Sequence, residues 1–106
     1  MNYLRIWIIS KTKYEIHYTK KFKKQYKKII KQNKDLKKLR YIVENLSNGA
    51  VLEEKYKDHN LVNNKYFDEC RECHIEPDWL LVYKYTDDKL ILLLVETGSH
   101  SELFKK

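Results

Sequence analysis

The residues with the widest chemical reach in this chain are its four histidines, His17, His59, His74 and His100, and the carboxylates near two of them, Asp58 and Asp78. A lone histidine is usually structural or simply exposed. The set Asp58-His59, His74, Asp78 and His100 is harder to dismiss, because each member lies at a predicted strand end or connection, where a sheet presents side chains to a cleft. Imidazoles titrate near neutrality, so two of them can act as base and acid in one reaction, each contributing roughly 10²- to 10⁴-fold. Metal-independent ribonuclease chemistry needs such a set. A base takes the ribose 2′-hydroxyl proton, a cation stabilises the crowded phosphorane, and an acid protonates the departing 5′ oxygen. Arg71 or nearby lysines can supply the cation.

The same region contains Cys70-Arg71-Glu72-Cys73-His74, which literally satisfies the C-x-x-C-H pattern for haem attachment. The segment reads as a strand, however, and on a strand Cys70 and Cys73 point to opposite faces. That parity argues against haem, against a thioredoxin-like pair, and against zinc, for which one pair supplies only two of the usual four ligands. The cysteines are then packing residues, and no metal or cofactor is expected. Parity also places Glu72 and His74 on one face and Arg71 and Cys73 on the other. Arg71 and His74 can therefore line one site only if a bulge re-aims one of them.

Two helices and a run of strands must position these groups. Tyr14 to Tyr18 favours a strand, and Thr19 stands where an N-cap belongs, ahead of Phe22, Tyr26, Ile29 and Ile30 at helical spacing. Asn33 is a stop. Leu36, Leu39, Val43 and Leu46 mark a second stripe that ends at Asn48-Gly49. From Val51 the period changes, with strands expected over Val51 to Lys55, Tyr66 to Ile75, Trp79 to Tyr85 and Leu90 to Glu96. Pro77 marks one turn and Asp87-Asp88-Lys89 a hairpin. The predicted fold is α+β, an N-terminal antiparallel helical hairpin packed on a small twisted antiparallel β-sheet. A single domain over residues 1–106 is expected, with Met1 to Lys13 as an extra strand or arm.

Composition narrows the partner. The formal net charge is +7 and aromatic residues make up 13% of the chain, the profile of a protein that meets polyanions. Half of the 22 basic residues lie between Lys20 and Arg40 on the polar helix faces, which are either solvated or in contact with polyphosphate. Two cysteines are too few for a secreted disulfide framework, the apolar start is too short for a signal h-region, and Leu90 to Val95 cannot span a bilayer. A cytoplasmic protein without membrane contact is expected.

Three stretches, Lys55 to Leu61, Arg71 to Tyr83 and Thr97 to Phe104, together resemble the YafQ branch of the RelE toxin superfamily, in the right order and over about Tyr14 to Phe104. The resemblance implies a toxin of a type II toxin-antitoxin system, neutralised by a cognate antitoxin protein, that cuts mRNA in the ribosomal A site without a metal. It places functional positions at His59, His74, Asp78, His100 and Phe104, with Arg71, Lys55 and Lys57 as further RNA contacts. His59 and His100 are the preferred acid–base pair, in either order. Phe104 either stacks on a base or plugs the sheet. Trp79 reads as core. Two departures bear on the site: Glu96 replaces a basic residue common in the family, and Val62-Asn63-Asn64 lacks the usual glycine. The alternatives are a non-catalytic RNA- or ribosome-binding module on the same fold and a small metal or haem protein.

Overall fold

The computed structural model describes residues 13–62, 67–86 and 90–104. The suggested N-terminal arm, the Asp87-Asp88-Lys89 turn and most of the loop after Val62 lie outside them.

Strand β1 (Glu15–Tyr18) leads into helix α1 (Lys20–Lys31) and helix α2 (Leu36–Ser47). Both helices begin as their sequences dictate. Thr19 Oγ1 accepts from the Phe22 amide at 2.9 Å and donates to the Val95 carbonyl at 2.6 Å, so one hydroxyl caps α1 and ties it to the sheet. Asp35 caps α2 by accepting from the Lys37 amide at 3.0 Å. Gly49, at φ +77°, provides the left-handed residue that ends α2.

The remaining elements are a 3-10 turn (Glu54–Tyr56), the two-residue strand β2 (His59–Asn60), β3 (Arg71–Glu76), β4 (Trp79–Thr86), β5 (Ile91–Gly98) and the short helix α3 (His100–Leu103). Together the strands form one sheet in the order β1-β5-β4-β3-β2. The strands β2 to β5 make the expected antiparallel meander, whereas β1 pairs parallel to β5, so the sheet is mixed. Parallel pairing requires a long crossover, and the helical pair lies within the connection between these two strands.

Two expected strands are different. Val51 to Lys55 is not a strand, because the chain turns through Glu54–Tyr56 and Lys57 takes φ +49° before β2 begins. The strand expected from Tyr66 begins only at Arg71. Glu69, at φ +57°, breaks the extended backbone, and the Cys70 amide turns back to the Phe67 carbonyl at 3.1 Å.

Strand parity divides the side chains into two clusters. The main core joins Phe22, Tyr26, Leu39, Ile42 and Leu46 of the helices to Cys73, Trp79, Leu81, Tyr83, Leu92 and Leu94 of the sheet. On the opposite face a smaller cluster gathers Phe67, Cys70, Leu80, Val82 and Leu103, with Leu61, Val95 and Phe104 packed against it. The two cysteines thus sit in different cores, as their spacing requires, and both are free and buried. Burial pushes both thiols above their ordinary pKa, which makes them inert packing groups.

Candidate active site

The site lies on the sheet face opposite the two long helices. On β3, Glu72 and His74 are two residues apart and share that face, and His59 of β2 is the direct cross-strand partner of Glu72. His100 reaches the same face from the start of α3. The sheet order therefore assembles three histidines around one carboxylate, and Glu72 is only 4% exposed.

Each imidazole has its Nδ1 engaged by an oxygen. His59 Nδ1 donates to the Lys57 carbonyl at 2.7 Å, His74 Nδ1 to the Pro77 carbonyl at 3.3 Å, and His100 Nδ1 to Asp78 Oδ1 at 3.0 Å. A carbonyl can only accept, so the Nδ1 of His59 and of His74 carries the proton, and in the neutral rings Nε2 carries the lone pair. The Nε2 atoms of His59 and His74 stand 3.4 and 3.7 Å from the same oxygen, Glu72 Oε1. A proton placed on either Nε2 therefore faces that same oxygen. The His74 and His100 rings are 5.4 Å apart. The groups therefore run in the order His59, Glu72, His74, His100. The half-exposed His59 and His100 stand at the two open ends, while Glu72 and His74 are more enclosed.

His100 is held on both sides. Asp78, in the β3–β4 turn, accepts from the His100 amide at 2.9 Å as well as from its ring. A reciprocal capping box between Ser99 and Glu102 fixes α3, and Lys28 of α1 pairs with Glu102. Gly98, at φ +157°, leaves room for this box, since a Cβ there would stand 2.8 Å from Glu102 Oε1. The backbone amide of His100, and then its imidazole, hold the Asp78 carboxyl below the usual carboxylate range. A lowered carboxylate pKa stabilises the fold above the ordinary value, and the gain is lost as pH falls through the lowered one. Denaturation midpoints of wild type and Asp78→Asn are therefore expected to differ at pH 5 and to converge only below about pH 3.9, the ordinary aspartate value. Convergence well above that value would show that the Asp78 link is not made.

Arg71 does not join this group. Its cross-strand partner is Asn60, and it points to the helical face, where it donates to Asn60 Oδ1 at 2.6 Å, to Asp58 Oδ1 at 3.3 Å and to the Tyr83 hydroxyl at 3.3 Å. Tyr83 in turn donates to Asp58 at 2.6 Å. This half-buried knot anchors the segment that carries His59, so Arg71 and Asp58 position the site from behind the sheet. A register shift does occur between His74 and Glu76, but it follows His74 and leaves Arg71 on its own face. Glu96 pairs across the sheet with Val82, and its side chain reaches α1, accepting from Gln25 at 3.0 Å and lying 3.5 Å from Lys21. Its charge links α1 to β5. Phe104 packs edge-on against Phe67 at 5.5 Å and stands 6.3 Å from the His100 ring, so it closes the smaller core beside the site. Trp79 is fully buried. Lys55 lies within the 3-10 turn and Lys57 directly follows it, just before His59. His17 is on the far edge strand, paired with Glu15 at 2.8 Å.

Glu72 is the residue that a reading of the sequence passes over, although its two-residue spacing from His74 was the available signal. Donor atoms of Glu72, His74 and His100 lie within 4.8 Å of one another. Two imidazoles and a carboxylate also suit a transition-metal ion. An ion held there would engage the same donor atoms that proton transfer needs.

A family model described as the bacterial toxin of a type II toxin-antitoxin system, YafQ, matches residues 14–105. The chain belongs to the YafQ toxin family. It is 40% identical over 91 residues to the mRNA interferase toxin YafQ of Escherichia coli BL21-DE3, covering 85% of this chain and 95% of that protein. Among solved structures, a metal-bound toxin from Helicobacter pylori is 45% identical with a TM-score of 0.80, covering 86% of this chain and 99% of that one. YafQ in the E. coli DinJ-YafQ toxin-antitoxin complex is 38% identical with a TM-score of 0.77, covering 87% and 98%. The mixed sheet and its helical crossover are therefore the YafQ-family fold, and the chain is an mRNA interferase toxin of that family.

Proposed function

We propose that this YafQ-family toxin cleaves mRNA in the ribosomal A site by general acid–base catalysis with His59 and His100, and that a cognate antitoxin protein neutralises it in the cytoplasm. The observation that carries this reading is the ordered row His59, Glu72, His74, His100, whose two ends are open to solvent and whose Nδ1 atoms are each held by an oxygen. One end imidazole takes the ribose 2′-hydroxyl proton, and the 2′ oxygen attacks phosphorus. The other end protonates the 5′ oxygen as the P–O bond breaks. The products are a 2′,3′-cyclic phosphate and a 5′-hydroxyl, with no metal needed for the proton inventory. Glu72 and His74 lie between the ends, and the imidazolium formed when the base takes the 2′ proton supplies positive charge beside the phosphorane. No helix among the described residues is long and apolar enough to cross a membrane, which agrees with a cytoplasmic site of action.

A basic chain suits an acidic antitoxin on the same electrostatic grounds that suit it to RNA. The reading is tested by incubating purified toxin with ribosome-bound mRNA and analysing the new ends. Wild type is expected to leave cyclic phosphate and 5′-hydroxyl termini, and His59→Ala to lose about 10²-fold or more in rate. Ribosome binding without cleavage would instead support the non-catalytic module.

A further inference from the structure

Strand β2 pairs with only Arg71 and Glu72, so it leaves the second half of β3 uncovered at the sheet edge. Beside that open edge lies a groove of about 750 Å³, walled by Lys37 and Tyr41 of α2, by Lys55, Tyr56 and Lys57, and by His74. His74 belongs both to this groove and to the catalytic row, so the two spaces share a wall.

The lining has the chemistry of a single-stranded nucleic-acid site. Tyr41 is 46% exposed and its ring centroid is 6.2 Å from that of Tyr56, so the two rings form one tilted aromatic wall. Lys55 Nζ lies 5.2 Å from the Tyr56 centroid. Lys38 is neutralised by Glu76 at 2.9 Å, and Glu53 accepts from the Tyr41 hydroxyl at 3.3 Å. Lys37, Lys55 and Lys57 have no carboxylate partner among the described residues, which leaves three cations around the aromatic wall. Bases stack on aromatic faces while cations track the backbone, largely without regard to sequence.

Resting on the cleavage reading above, we infer that this groove is a subsite for the single-stranded mRNA flanking the scissile phosphate, with one base across Tyr41 and Tyr56 and its phosphates against Lys37, Lys55 and Lys57. The groove holds substrate away from the reacting atoms, so its loss weakens binding equally in the ground and transition states.

The test uses full-length toxin on ribosomes carrying an mRNA with a 2′-deoxy scissile nucleotide, which blocks cleavage, and 4-thiouridine at one flanking position at a time. Crosslinks are expected from one flanking position to the segments 37–41 or 55–57. On cleavable mRNA, Tyr41→Ala and Lys37→Glu are expected to raise KM on the order of tenfold with kcat unchanged, and Tyr41→Phe to restore it. Crosslinks confined to other segments, or an unchanged KM in both variants, would overturn the inference while leaving cleavage by the wild type intact. Protection of the groove by antitoxin with no crosslink to mRNA would also overturn it and assign the surface to the antitoxin. A wild type that fails to cleave would defeat the catalytic reading, and the crosslink map would still decide the groove.

Discussion

His100→Ala is expected to slow single-turnover cleavage of ribosome-bound mRNA by about 10²- to 10⁴-fold, equivalent to about 3 to 5 kcal/mol of transition-state stabilisation. The imidazole is half-exposed, and the backbone amide of residue 100 still reaches Asp78, so the variant should keep both its fold and its α3 turn. An intact denaturation midpoint with a collapsed rate is therefore the signature sought. Asp78→Asn should fall between the two, since it keeps an acceptor oxygen for Nδ1 but removes the carboxylate charge beside the ring. If His100→Ala cleaves at the wild-type rate, His100 is not one end of the proton-transfer row. The companion imidazole would then have to be sought in His74, whose Nε2 stands 3.7 Å from Glu72 Oε1 and whose ring is 5.4 Å from that of His100.

Trp79→Ala is expected to cost about 3 to 5 kcal/mol of folding stability, read as the shift in urea midpoint. Trp79 is wholly buried in the main core, and its indole N–H donates to Thr97 Oγ1 at 3.0 Å. Thr97 extends this link. Its hydroxyl donates to the Leu80 carbonyl at 2.7 Å and its amide donates to Gln25 Oε1 at 2.9 Å, so β4, β5 and α1 meet at one point. Removing the ring leaves a large cavity and strips Thr97 of a donor. A domain of this size has roughly 5 to 15 kcal/mol to lose, so the variant forfeits a large share of its stability. Trp79→Phe, which keeps most of the volume and loses the hydrogen bond, should cost far less. A loss below about 1 kcal/mol for the alanine variant would mean that the indole does not seat the core as described.

These two residues differ in how openly the sequence shows their roles. Trp79 begins an apolar strand after a proline turn, and burial follows from that pattern alone. His100 stands in a turn-like tail, where only its chemistry marks it. Its partner Asp78 is 22 residues away, a separation that no local pattern bridges. Glu72 shows the same limit more sharply. Its face was predictable from two-residue alternation, but its place at the hub depends on His59 arriving opposite it across β2 and β3.

Local sequence was enough for the two helices, the Thr19 cap and the Asn48-Gly49 stop, the hairpin turn at Pro77, the separation of Cys70 from Cys73, and the opposition of Arg71 to His74. All of these rest on helical or strand periods and on capping chemistry within a few residues, which act before distant parts of the chain meet. Tertiary structure alone decided that β1 runs parallel to β5, that the chain turns through Glu54–Tyr56 before a short edge strand, and that Arg71 spends its donors on Asp58, Asn60 and Tyr83. It also decided that three histidines converge on one buried carboxylate. Strand pairing is a long-range choice made by burial and cross-strand contact, and the active site is assembled by that choice.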